Sequence, residues 1–141
     1  MLIQFTLQGE KQLIRKFRGI KMAGKNWLPT MRLIGRDLTG LFSGAVFTTE
    51  GREIGEPWQK RKEPKPWPLL DRTGKLKEGF KYDAKRLSVT IYNIADYFVY
   101  HQSNQPRRRL PRRVMMKIDN KRKANIMRRF QQTIVKKLWQ T

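Results

Sequence analysis

Apolar and polar positions alternate at the start of the chain. In "LIQFTLQ" (2–8), Ile3, Phe5 and Leu7 alternate with Gln4, Thr6 and Gln8, which predicts a half-buried strand closed by Gly9. From Glu10 the period lengthens. Leu13, Ile14, Phe17 and Ile20 share one stripe and Lys11, Arg15 and Lys16 the wet face, a helix that Gly24 ends. A second helix follows, with Asn26 as its cap and Pro29 in a first turn that tolerates it. Its apolar set is Leu28, Met31, Ile34, Leu38, Leu41 and Phe42, while Gly35 and Gly40 predict close packing or a bend.

Regular patterning then lapses. Residues 48–75 are rich in Gly, Pro and charge and carry Trp58 and Trp67, which predicts a long surface loop anchored by its tryptophans. Strand alternation resumes in "LKEGFKY" (76–82) and "RLSVTIYN" (86–93), joined by Asp83-Ala84-Lys85 as a hairpin. "YFVYHQ" (97–102) fits either a strand or a helix start. Asp119 or Asn120 caps a last helix to about residue 139, with Ile126, Met127, Phe130, Ile134 and Leu138 on its apolar face. The order predicts one α+β domain over 1–141: an antiparallel sheet with a central hairpin, and N-terminal helices and a C-terminal helix packed on it.

Charge changes this picture most. The 141 residues hold 32 Lys or Arg against 11 Asp or Glu, a net charge of +21. Thirteen of those cations and a single acid fall in the basic C-terminal segment 107–141. Such a chain is expected to seek polyanions or acidic protein surfaces. Arg107, Arg108, Arg109, Lys121, Arg122, Lys123, Arg128 and Arg129 are the candidates for contact with DNA or with an acidic partner. No zinc-finger, RNP or KH signature accompanies them, so sequence-specific base reading is not expected. A small basic protein that binds nucleic acid without sequence preference is the alternative function. Trp27, Trp58, Trp67 and Trp139 read as core anchors or interface hot spots rather than base-stacking platforms.

Chemistry is thinly signalled. The chain has no cysteine, which excludes disulfides, cysteine zinc sites and thiol catalysis. His101 is the sole histidine, without the G-x-S-x-G, H-E-x-x-H or second histidine that would make it catalytic. It is expected to close a strand by hydrogen bonding. Asp71, Glu78, Asp83 and Asp96 offer carboxylates for a magnesium nuclease, but Pro64 and Pro66 beside "EPK" (63–65) argue against a catalytic strand there. "MLIQFTLQGE" lacks the apolar core of a signal peptide, and no apolar run nears the ~18 residues of a membrane span. A soluble protein made in a cytoplasm is the expectation.

Several stretches together are similar to the phage virion morphogenesis family, the Mu-like tail-completion proteins of the head–tail neck. They are "NWLPTMRLIGRDLTGLFSGAVFTTEG" (26–51), Trp58, "LLDRTGKL" (69–76), "YFVYHQ" and "LPRRVMMKID" (110–119), spread over roughly residues 10–130. Ser103-Asn104-Gln105 stand where the family has a glycine. The resemblance implies a non-enzymatic virion protein, without cofactor, metal, small-molecule substrate or membrane. It implies a homo-oligomeric ring of about six or twelve copies joining neck, connector or tail-tube proteins around packaged DNA. The protein would assemble in the host cytoplasm and end in the virion. In such a ring Trp58 and Trp67 would meet a neighbouring subunit. Pro111 would set the chain direction, and Arg112 or Arg113 would form a structural or intersubunit ion pair.

Overall fold

A computed structural model describes residues 2–6, 27–103 and 111–139, with the strand at 2–6 and the last three helical residues as backbone. The expected helix from Glu10 to Gly24, the cap Asn26 and the arginines 107–109 lie outside the described residues. The architecture is α+β, with a long helix, an antiparallel hairpin and a C-terminal helix packed together.

The long helix α1 (Leu28–Ser43) has Trp27 in the N-cap position and Pro in its first turn, where a missing N–H breaks no helical bond. Met31, Ile34, Leu38 and Phe42 recur at intervals of three and four, and all are buried. Gly35 sets how closely α1 lies on the sheet. A Cβ there would stand 2.5 Å from Tyr82 Cδ2 and 3.0 Å from Val89 Cγ2. Gly40, by contrast, has nothing near it and marks no close packing. Gly44 ends α1, and a further helical turn, α2 (Ala45–Thr48), leads into the segment expected to be irregular from residue 48. A 3₁₀ turn at Arg52–Ile54 follows, with Ile54 fully buried. The stretch without helix or strand is therefore 55–74, shorter than 48–75.

Next comes α3 (Lys75–Glu78), a helical turn where sequence alternation predicted strand. Gly74 precedes it at φ 78°, a conformation glycine adopts cheaply, and the turn drops Leu76 into the core. β2 (Phe80–Ala84) and β3 (Ser88–Asn93) form the hairpin, and β1 (Leu2–Thr6) pairs with the other edge of β3, giving the order β1-β3-β2. Both pairings are antiparallel, with Ile3 opposite Ile91 and Tyr82 opposite Ile91. The hairpin turn falls at 85–87 rather than 83–85, where the Lys85 N–H donates to the Ser88 carbonyl. Val89 and Ile91 are buried, as the alternation requires.

"YFVYHQ" resolves as a helical turn, α4 (Phe98–Gln102), so His101 lies in a helix and closes no strand. The C-terminal helix α5 (Asn120–Trp139) starts at Asp119, whose Oδ1 accepts the Arg122 N–H at 3.1 Å. It runs antiparallel along α1. The Thr30 and Thr133 hydroxyls meet at 2.8 Å at one end, and Arg129 meets Asp37 farther along. Phe130 and Ile134 are buried, with Phe130 edge-on to Trp27 at 5.6 Å. Met127, expected on the apolar face, is 42% exposed; the Leu138 side chain lies outside the described atoms. Beneath, Phe80 joins Phe42, Phe47 and Phe98 at centroid distances of 6.0, 6.3 and 5.7 Å, which makes it the hub of the aromatic core.

Gly35→Ala tests the close approach. Alanine favours a helix over glycine by about 1 kcal/mol, yet the added methyl must displace Tyr82 and Val89. The expected outcome in urea unfolding is a net loss of about 1–3 kcal/mol.

Candidate partner-binding surfaces

The residues expected at an interface divide between the core and the surface. The segment 111–118 crosses the molecule without helix or strand, and Val114, Met115 and Met116 are buried. Gln102 holds it: its Nε2 donates to the Met116 carbonyl at 2.7 Å, and its Oε1 accepts the Met115 and Met116 N–H groups at 2.9 and 3.2 Å. Trp58 Nε1 donates to the Val114 carbonyl at 2.8 Å, and the Trp58 ring is edge-on to Phe47 at 5.2 Å. Trp58 is 6% exposed. It anchors the chain's own core, with little of its surface left to meet a neighbouring subunit.

Arg113 is similarly internal. Its Nε and Nη2 donate to the Gln59 carbonyl at 3.0 and 2.8 Å, and its N–H donates to the His101 carbonyl. Burial, then the neighbouring Arg61, push its pKa below the usual guanidinium range, with Glu50 opposing. Arg112 is exposed and donates from Nε to the Gln102 carbonyl at 3.3 Å. Neither arginine pairs with a carboxylate among the described residues; within the chain both side chains donate to backbone carbonyls. Pro111 stands half-buried at the start of the segment. The His101 ring meets Tyr97 edge-on at 6.4 Å.

The basic face of α5 is also sorted. Arg122 is buried, bonded to Glu53 Oε1 at 2.6 Å, the Glu53 carbonyl at 3.1 Å and Asp119 Oδ2 at 3.2 Å. Arg122 first, then Lys121, hold the Glu53 carboxyl below the usual carboxylate range. Lys121 reaches the same oxygen at 3.4 Å, Lys117 reaches Glu56 at 2.8 Å, and Arg129 Nη2 reaches Asp37 at 2.8 Å. Arg122 and Arg129 are thus engaged within the chain. Lys123 and Arg128 are exposed and join no carboxylate among the described residues, as do Arg32 and Arg36 on α1. Between the helices a groove of about 490 Å³ has Leu38 and Ile126 among its apolar lining, with Asp37, Arg128 and Arg129 among its charged groups.

Trp67 lies elsewhere, half-buried beside a notch of about 370 Å³ lined also by Leu70, Leu76 and Tyr97. The Arg72 guanidinium sits 4.7 Å from the Trp67 ring centroid, and Lys75 Nζ 5.9 Å from that of Tyr97. Sequence reasoning singled out Trp67 but not Arg72, Lys75 or Tyr97. Their signal was present, two cations in "LLDRTGKL" and an aromatic leading "YFVYHQ", but only the fold brings the two stretches together.

Asp71 and Glu78 line one depression with Lys77, and Asp83 and Asp96 do not join them. Among the described residues, no group of three or more His, Cys, Asp or Glu comes together to hold a metal, and no helix is long and apolar enough to cross a membrane. Comparison with protein-family models, curated proteins and solved structures gives no match.

Two measurements check these assignments. Trp58→Ala removes a buried ring and orphans the Val114 carbonyl, and is expected to cost about 3–5 kcal/mol in chemical unfolding. Glu53→Gln probes the Arg122 pair. Because the folded pKa of Glu53 is depressed, its contribution is full above the ordinary glutamate range and fades as pH falls through the folded value. The wild-type melting temperature should exceed that of Glu53→Gln at neutral pH, and the gap should close in acid below about pH 4.

Proposed function

We propose that this is a structural protein of the phage head–tail neck, which forms a homo-oligomeric ring that completes the tail or connector. What supports this is where the stretches that carry the resemblance fall. "MRLIG" supplies Ile34 to the core and Gly35 to the closest approach of α1 to the sheet. "RTGKL" supplies Gly74 at positive φ and buried Leu76. "LPRRVMMKID" supplies the internal segment held by Gln102 and Trp58. Each stretch occupies a joint on which the α+β arrangement depends. The uncompensated cations of α1 and α5 then give the ring a surface suited to DNA or to acidic neck proteins.

Those same cations, Arg32, Arg36, Lys123 and Arg128, favour a second reading as a nucleic-acid-binding protein without sequence preference.

Native mass spectrometry of nuclease-treated protein in high ammonium acetate separates the two. The neck reading predicts a discrete closed multimer of about six or twelve copies free of nucleic acid. A monomer at every concentration that recovers mixed nucleic acid when salt is lowered overturns it in favour of the second reading. In that case log affinity for duplex DNA should fall with log salt at a slope of about −0.9 per phosphate contacted. Lys123→Glu with Arg128→Glu should reduce that slope.

A further inference from the structure

The Trp67 notch combines apolar and aromatic side chains with two cations. Leu70, Leu76 and Tyr97 join Trp67 in the lining, and Arg72 and Lys75 stand over the two aromatic rings. Neither cation is paired with a carboxylate among the described residues; the one acid in the lining, Asp71, faces Lys77 at 3.9 Å. Leu70, also in the lining, holds φ at 59°, a left-handed conformation costly for a leucine. An opening of about 370 Å³ is near the lower end of sites that bury a small ligand, and suits one large side chain with its flanking backbone.

We infer that this notch docks an acidic segment of another protein, seating one aromatic or large aliphatic side chain against Trp67 and Tyr97 while flanking carboxylates meet Arg72 and Lys75. Charge decides the kind of partner. A second copy of a chain at +21 with 11 acids is a poor source of a carboxylate-rich segment, so the notch is not where copies of this chain join. The floor provides apolar contact rather than the continuous phosphate track that nucleic acid requires. Chains that anchor by one buried aromatic within a complementary charged rim draw most of their affinity from that anchor. The inference rests on the neck reading only in taking the partner to be a protein.

The test uses the full-length protein and a fluorescein-labelled peptide with one phenylalanine between glutamates and aspartates, followed by anisotropy at about 0.15 M salt. The expected result is saturable binding, weakened about tenfold when serine replaces that phenylalanine, and about tenfold in Trp67→Ala and in Arg72→Glu. Lys81→Glu removes an equal charge from an exposed strand position outside the notch and should leave binding unchanged. Arg72 is exposed, so Arg72→Glu decides the matter if Trp67→Ala unfolds by circular dichroism. Equal binding of the serine peptide, or an equal loss in Lys81→Glu, overturns the notch in favour of diffuse charge attraction. Displacement of the peptide by a thymidine oligonucleotide whose own binding needs Trp67 overturns it in favour of nucleic acid. Failure of the peptide with an intact multimer by native mass spectrometry rejects the notch alone. Peptide binding without a multimer rejects the ring alone.

Discussion

Residues 113–116 run buried through the molecule with no strand alongside, so their backbone groups depend mostly on side chains for partners. This constraint organises much of the fold. Gln102 can accept two N–H groups and donate to a carbonyl only from the end of α4, which requires that turn to be helical. Trp58 can reach the Val114 carbonyl only if the segment after α2 turns inward, which Gly51 permits. A Cβ at Gly51, at φ 82°, would collide with the Glu56 carbonyl oxygen and the Trp58 ring. The guanidinium of Arg113 closes the set on Gln59. An amide and an indole, with the His101 carbonyl that accepts the Arg113 N–H, thus perform the office that a neighbouring strand performs in a sheet.

Periodicity made the regular elements legible and said little about the joints. The stripe Met31–Ile34–Leu38–Phe42 and the alternation Val89–Ile91 are consequences of burial on one face, and burial is what such patterns encode. "LKEGFKY" misled because Leu76 and Phe80 are both buried, one from a helical turn and one from a strand, and four residues cannot distinguish the two. Trp58 and Trp67 share a residue type and a Pro-rich context, yet one is internal and the other lines the surface. Nothing local to either separates them. The deciding partner of Trp58 is Val114, fifty-six positions away.

The same limit applied to charge. Composition signals a basic protein, but not which cations solvent sees. The structure uses arginine where a cation must be buried, as at Arg113 and Arg122, because several donors in a planar fork can satisfy several oxygens at once. It leaves lysine at the wet positions Lys117, Lys121 and Lys123. The acids are few, and several are placed at these joints: Glu53 and Asp119 on Arg122, Asp37 on Arg129. The remaining positive field therefore faces outward with little internal compensation.

The antiparallel seam of α1 and α5 has a consequence for biosynthesis. Thr30 and Thr133, Trp58 and Val114, and Glu53 and Arg122 are bonded across 103, 56 and 69 positions of the chain. While a ribosome is still translating, a nascent chain that has emerged only as far as α4 has no partner for Trp58, for the Gln102 amide or for the apolar stripe that Phe130 and Ile134 cover. Closure of the core must wait until the C-terminal helix has emerged, which leaves apolar surface of the intermediate exposed to aggregation meanwhile. The basic C-terminal segment is therefore no appendage, since its buried face completes the domain that its wet face charges.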